Sequence, residues 1–175
     1  MERRLHSGVI VEVPEAETVV GSYRMRLDAN ARLGVPAHIT VLFPFAEPDD
    51  ITAEMLGRLH DIAAAVPAFE FRLPRTNWFG EDVLWLAPDP DDVFRRLTSE
   101  VAAAFPSYPP YGGEFSAVVP HLTIAERGSV DAMRAAERAV QRELPICSHA
   151  QSLTLMIERD SGTWDRVATF ALTSR

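Results

Sequence analysis

Lysine is missing from this chain of 175 residues, and all 17 basic side chains are arginine. Without a lysine the chain can build neither a lysyl-nucleotide intermediate nor a Walker phosphate loop, which argues against ATP-driven ligation. The net charge of −8 argues against general nucleic-acid binding, because such binding needs many basic contacts to phosphates. A small anionic substrate is compatible with this charge.

Cysteine is also scarce, since Cys147 is the single one. This excludes an internal disulfide and any zinc site built on paired cysteines, and it fits a reducing compartment. The longest apolar stretches, such as residues 62–68, are far too short to cross a bilayer, and the first residues carry no convincing targeting signal. We therefore expect a cytoplasmic protein with no membrane partner.

Hydrophobic periodicity predicts an order of elements that repeats along the chain. The first half is expected to contain strands near residues 8–13, 38–43 and 69–73, with helices from about 15 and from about 51. The second half is expected to contain strands at 83–87, 118–124 and 153–157, helices around Val93 to Val101 and Val130 to Leu144, and a final strand near 164–172.

These elements predict an α+β fold in one domain, residues 1–175, made of two half-repeats at about 7–80 and 81–175. The expected architecture is bilobal, with a pseudo-two-fold axis, two antiparallel sheets facing a central groove and helices on the outside. The segment 105–113, which is rich in proline and glycine, is interpreted as an ordered loop near that groove.

Two short segments share one pattern, a histidine two residues before a threonine in an apolar run. They are Pro36-Ala37-His38-Ile39-Thr40-Val41 and Pro120-His121-Leu122-Thr123-Ile124. Residues i and i+2 of a strand project to the same face, so each imidazole is expected beside its hydroxyl. The sequence thus predicts two copies of the same functional pair.

The pairs suit chemistry at a phosphoryl group. An imidazole with a pKa near 6.5 can be neutral or protonated near neutral pH, so two of them can act as base and acid together. We interpret His38 and His121 as candidate catalytic residues, and Thr40 and Thr123 as hydroxyls that hold a phosphate. Sequence alone leaves open which histidine is the base.

The motifs resemble the twin His-x-Thr signatures of the two-histidine (2H) phosphoesterase superfamily, in particular 2′-5′ RNA ligase-like proteins and cyclic phosphodiesterases. Leu153-Thr154-Leu155 and Gly162-Thr163-Trp164 are similar to the closing strands of that family. The resemblance implies hydrolysis of a 2′,3′-cyclic phosphate to a 2′-phosphate, or related 2′-5′ phosphodiester chemistry, with no metal and no other cofactor. It makes the two histidines the acid–base pair and the two threonines the phosphate-holding hydroxyls.

Two alternatives to this enzyme stay open. A non-catalytic module that binds RNA ends or nucleotides could keep the same fold. A metal-dependent hydrolase could use the two histidines as ligands, although no further ligand stands at metal-site spacing beside either motif. For each reading we expect a monomer whose partner is a small nucleotide or an RNA terminus.

Other residue types of interest receive structural interpretations. His6, His60 and His149 stand singly and are interpreted as structural or solvated, and Cys147 as an inert thiol. The aromatic residues that could stack on a base, interpreted here as core, are Tyr111, Phe45 and Trp164. The arginines interpreted as solvated are Arg24, Arg26, Arg127 and Arg159. The acidic pairs interpreted as helix caps are Asp49-Asp50 and Asp91-Asp92.

Overall fold

The computed structural model describes residues 4–115 and 117–174, and within them the chain forms eight strands and five α-helices. The strands are β1 (Ser7–Glu12), β2 (His38–Leu42), β3 (Phe69–Phe79), β4 (Val83–Asp89), β5 (Leu122–Glu126), β6 (Ile146–Ala150), β7 (Ser152–Glu158) and β8 (Trp164–Ala171). The helices are α1 (Pro14–Leu27), α2 (Ala29–Arg32), α3 (Ala53–Ala64), α4 (Asp92–Ala104) and α5 (Val130–Gln141). None of these helices combines the length and the apolar character needed to cross a bilayer.

The strands form two antiparallel sheets, and the predicted α+β fold is confirmed. The first sheet has the order β2-β1-β7-β8 and the second β5-β4-β3-β6. Each sheet therefore takes strands from both sides of residue 80. The division into half-repeats at about 7–80 and 81–175 stays a prediction.

Both motif strands lie at the edge of a sheet. In the first sheet β2 pairs only with β1, and in the second β5 pairs only with β4, among the strands of the described residues. The two edges meet, since β2 contacts β5. Because apolar and polar residues alternate along these strands, Ile39 and Val41 of β2 are buried while His38 and Thr40 are half-buried on the other face.

The helices cover the apolar faces of the two sheets. Helix α4 packs on β2 and α3 on β8, whereas α1 packs on β5, β6 and α5. The covered faces supply the core, whose fully buried members include Val9, Ile39, Leu42, Leu84, Leu86, Leu122, Ile124, Leu153 and Leu155. The opposite, helix-free faces are left to form the walls of the groove.

The structure corrects two of the predicted helix boundaries. Asp49 and Asp50 do not cap α3, because they belong to a short 3₁₀ turn, and the Thr52 hydroxyl instead accepts a hydrogen bond from the Met55 amide at 3.2 Å. In α5 the buried stripe is Met133, Ala136 and Val140, whereas Val130 is 40% exposed and Leu144 lies beyond the last turn.

The strands differ from the prediction in three places. β5 begins at Leu122 rather than near 118, because Pro120 has no amide hydrogen to offer a neighbouring strand. β3 continues past Leu73 to Phe79 through a β-bulge that contains Pro74. β6 is absent from the prediction, because its inward residues Ile146, Ser148 and Ala150 include one polar and one small side chain and give a weak apolar pattern.

Candidate active site

His38 begins the edge strand β2 and lies opposite Glu12 of β1. Its ring Nδ1 lies 2.7 Å from the Pro36 carbonyl oxygen, and because a carbonyl only accepts, Nδ1 must carry the hydrogen of this bond. The other nitrogen, Nε2, is left to act as the acceptor of the neutral ring. Burial lowers the pKa of His38 to about 4, and the bond to Pro36 opposes this effect.

His121 repeats this arrangement immediately before β5. Its Nδ1 donates to the Val119 carbonyl oxygen at 2.7 Å, which again leaves Nε2 as the acceptor of the neutral ring. The imidazole contacts the rings of Phe79 and Trp85 edge-on, at centroid distances of 5.1 and 5.9 Å. Burial lowers the pKa of His121 as well, and the bond to Val119 opposes it.

The two imidazoles are brought into one region of the molecule. Their strands contact each other, and positive charge on His121 lowers the pKa of His38. Because two positive charges repel each other, a state with one neutral and one protonated ring is favoured over a doubly protonated state. The matching hydrogen bonds give both rings the same tautomer.

Each motif threonine lies on the same face as its histidine. Thr40 is opposite Ile10 of β1, and Thr123 is opposite Trp85 of β4. Both threonines are half-buried, in strands whose neighbouring residues are buried. Each half of the site therefore presents an imidazole and a hydroxyl side by side.

Tyr111 joins this group from the loop that precedes β5. Its amide donates to the Phe43 carbonyl oxygen at 2.6 Å, just beyond the end of β2, and its φ of 51° is in the left-handed region that most side chains avoid. Burial raises the pKa of Tyr111, while a hydrogen bond with the Thr40 side chain lowers it. The prediction that this segment is an ordered loop near the groove agrees with the contact, but the interpretation of Tyr111 as core is wrong.

A network of charged side chains surrounds His38. Arg166 of β8 donates two hydrogen bonds to the Glu12 carboxylate, at 2.8 and 2.7 Å, and these bonds hold the pKa of Glu12 below its usual value. Arg24 of α1 is only 2% exposed and pairs with the equally buried Asp28 at 3.1 Å, so its interpretation as a solvated residue is wrong. Charge on Arg24 lowers the pKa of His38 and charge on Asp28 raises it.

The remaining candidates lie outside this group. His6 pairs with Glu158 at 3.0 Å, His149 Nδ1 accepts from the Gln151 side-chain amide at 3.2 Å, and His60 is exposed. Phe45 is buried against Phe105, and Cys147 is exposed on β6. In the part of the chain that the structure describes, no three His, Cys, Asp or Glu side chains converge as a metal site would require.

From the sequence, none of the side chains that come from other elements is assigned to the site, and Tyr111 is interpreted as core. The side chains that the fold brings to the site, none of which belongs to a short motif, are Tyr111, Phe79, Trp85, Glu12 and Arg166. A partial signal was available for Glu12, because it ends a strand of buried residues and breaks that apolar pattern with a charge. The composition of the loop around Tyr111 was a second signal, because the prolines and glycines between Pro109 and Gly113 favour a tight turn.

Two antiparallel sheets that each present a His-x-Thr pair at their edge place the chain in a class of two-lobed α+β proteins known from solved structures. TT0787 of Thermus thermophilus superimposes with a TM-score of 0.63 and 20% identity over 97% of this chain and 99% of that one. E. coli LigT in its apo form gives a TM-score of 0.60 and 19% identity over 98% of this chain and 99% of LigT. LigT has also been crystallised with NADP+, ATP and 3′-AMP.

The chain belongs to the 2′-5′ RNA ligase superfamily, whose model matches residues 12–162. It is similar to proteins of Geobacillus kaustophilus and Bacillus pumilus whose names assign them provisionally to the phosphoesterases. The first is 29% identical over 120 residues, which are 67% of this chain and 66% of that protein. The second is 25% identical over 169 residues, which are 94% of this chain and 95% of that protein.

Proposed function

We propose that this protein is a metal-independent phosphoesterase that hydrolyses a 2′,3′-cyclic phosphate, or a related 2′-5′ phosphodiester, of an RNA end or nucleotide. The observation that carries this proposal is the matched state of His38 and His121. Each ring is fixed by the same Nδ1 hydrogen bond, each leaves Nε2 as its free nitrogen, and the two rings are within electrostatic range. The family and its relatives support phosphoesterase chemistry in general.

The electrostatics support a division of roles between the two rings. His38, with a pKa of about 4, is almost entirely neutral near pH 7 and suits the part of general base. A protonated fraction of roughly 10⁻³ at that pH makes it a poor proton donor. His121 then acts as the general acid, and its positive charge adds a smaller effect to the burial that keeps His38 neutral.

The proposed step balances as follows for a cyclic phosphate. Nε2 of His38 takes a proton from water as the water oxygen forms a bond to phosphorus, and the bond between phosphorus and the 3′ oxygen breaks. Nε2–H of His121 supplies the proton to the departing 3′ oxygen, so the product is a 2′-phosphate with a free 3′ hydroxyl. Thr40 and Thr123 donate to the non-bridging oxygens, where negative charge accumulates.

Replacing either histidine tests the proposal directly. His38→Ala and His121→Ala should each lower kcat for nucleoside 2′,3′-cyclic phosphates by about 10²–10⁴-fold, the usual contribution of one general acid or base. Rates are measured in EDTA, with 2′-5′ dinucleotides as a second substrate, and phosphorus NMR assigns the position of the product phosphate. His60→Ala, at an exposed position of α3, is the matched control and should keep the wild-type rate.

The outcomes separate the alternatives. A His38→Ala protein that turns over at the wild-type rate removes His38 from the mechanism. Activity that EDTA abolishes indicates a metal-dependent hydrolase. Tight binding of the cyclic phosphate with no turnover indicates a binding module that keeps the same fold.

A further inference from the structure

A β-bulge in β3 turns an extra arginine toward the site. Arg72 and Arg75 are three residues apart, so a regular strand would place them on opposite faces. Their partners on β4, however, are Asp89 and Ala87, which are two residues apart and share a face. The irregularity between Arg72 and Arg75 therefore places both arginines on one face of the second sheet.

That face is the one that carries His121 and Thr123. Trp85 lies between Asn77 of β3 and Thr123 of β5 in the register, and its ring contacts His121. Ala87 is two residues from Trp85 on β4 and therefore projects to the same side. Arg75, which is opposite Ala87, consequently shares the open face with the second His-x-Thr motif.

Arg75 and His121 lie in one row across the second sheet. Leu86 pairs with Leu122, so the register places Ala87 opposite His121, with Arg75 on its other side. Arg75 and His121 are thus two strand spacings apart, roughly 10 Å between backbones. The side chain between them is the methyl group of Ala87, which is itself buried.

The two arginines of this face differ in their partners. Arg72 donates from Nε and Nη2 to Asp89 at 3.2 and 3.1 Å, so its charge is neutralised. Arg75 is exposed, and within the described residues its side chain has neither a hydrogen bond nor an ion pair. A planar guanidinium with all five donors free is well suited to bind a phosphate through two parallel hydrogen bonds.

We propose that Arg75 binds a second phosphate of the substrate, one nucleoside away from the phosphate that reacts between the histidines. This second-phosphate site rests on the proposed function. It implies that the preferred substrate is a nucleotide or RNA end with a 5′-phosphate or an inner phosphodiester, rather than a nucleoside cyclic phosphate with a free 5′ hydroxyl. Arg75 is on β3, two strands from β5, which follows His121 directly and holds Thr123, and this separation places the guanidinium beyond the reacting phosphate.

The test compares a nucleoside 2′,3′-cyclic phosphate with its 5′-phosphorylated form. In the wild-type protein the 5′-phosphate should raise kcat/KM by about tenfold, mainly through a lower KM, as expected for one charge-assisted contact at an exposed site. Arg75→Gln should remove this preference without changing the rate on the substrate that lacks the 5′-phosphate. Arg75→Lys should restore part of it, and Arg72→Gln, on the same face, should leave it intact.

A second measurement separates this proposal from the proposed function. Titration calorimetry gives the affinity for adenosine 2′-phosphate and for adenosine 2′,5′-bisphosphate, with no need for turnover. If the bisphosphate binds more tightly and Arg75→Gln abolishes the difference, Arg75 recognises the second phosphate even if hydrolysis fails. If wild type and Arg75→Gln show the same preference, or the variant weakens both ligands equally, the second-phosphate site is refuted while the proposed hydrolysis is unaffected.

Discussion

At the scale of single residues, the site depends on how each imidazole is held. A carbonyl two residues earlier in the chain fixes each Nδ1–H, at 2.7 Å in both cases. This local bond sets the tautomer, whereas the lowered pKa comes from burial by side chains that are distant in sequence. The tautomer is thus a property of the motif, and the proton affinity is a property of the fold.

The dependence of the rate on pH follows from these pKa directions. We expect kcat/KM to rise with pH through the pKa of His38, about 4, because the base must be neutral. It should fall again through the pKa of His121, which burial lowers from 6.5, because the acid must be protonated. The optimum should therefore lie below about pH 6.5 in the unliganded enzyme.

Variants assign the two limbs of the profile. His38→Gln should lose the acid limb and keep the alkaline one, and His121→Gln should do the reverse. An optimum well above pH 6.5, or the opposite assignment of limbs, would contradict the proposed roles. The initial rate is measured at low substrate concentration, where it reports kcat/KM, between pH 3.5 and 8.5 in steps of roughly half a unit. Steps of this size resolve the two limbs of a coupled pair of groups.

The residues of the motifs could be predicted from sequence because the period of a strand is local. His38 and Thr40 share a face whatever else the chain does. Tyr111 could not be predicted in the same way, since its contact with Thr40 requires the turn at Gly112 and Gly113, both with positive φ, to bring the loop back over the end of β2. Arg75 depends on a bulge, which shifts the register without leaving a periodic signal.

At the scale of elements, helix α1 positions the segment that leads into β2. Arg24 donates to the Val35 carbonyl oxygen at 3.1 Å and Glu17 accepts from the Ala37 amide at 2.6 Å, so both side chains bond to the backbone just before His38. Arg24 is also paired with Asp28, and both are 2% exposed. Such a buried pair is costly to break, because the remaining charge has no solvent to stabilise it.

Asp28→Asn tests this element. The substitution removes the nearer and more buried of the two carboxylates paired with Arg24, the other being Glu17 at 3.6 Å. It keeps a side chain that can cap α2, since Asp28 accepts from the Asn30 amide at 2.9 Å and asparagine caps equally well. We expect the free energy of unfolding to fall by about 3 kcal/mol in urea titrations. Asp89→Asn breaks the exposed pair with Arg72 and should cost less than about 1 kcal/mol. Equal losses in the two variants would show that burial does not set the cost.

At the scale of the whole molecule, folding itself is linked to the protonation of the site. An unfolded chain binds a proton on histidine near pH 6.5, whereas the folded protein keeps His38 neutral down to about pH 4. Between these values the unfolded state binds more protons than the folded state. The contribution of His38 to the free energy of unfolding is therefore fully present above pH 6.5 and is lost as the pH falls toward 4.

This loss should be measurable and should belong to the motif histidines. His38 accounts for up to about 3 kcal/mol across the window, and the lowered pKa of His121 adds a loss of the same sign. Glu12 and Glu137, whose pKa values are lowered from the ordinary 4.5, add their own loss only near and below that pH. Urea unfolding at pH 7.5, 6.0 and 5.0 therefore measures the loss of stability that belongs to the histidines. Since one pKa unit represents roughly 1.4 kcal/mol, pH steps of about one unit give a measurable difference.

The variant that checks the assignment is His38→Gln, whose side chain does not titrate. Its stability should change less between pH 7.5 and 5.0 than that of the wild type, whereas His60→Gln, at an exposed position, should follow the wild-type curve. If the wild-type protein keeps the same free energy of unfolding down to pH 5, then His38 is protonated in the folded state at that pH. In that case the ring could not serve as a base held neutral by burial, and the proposed division between His38 and His121 would have to be reversed.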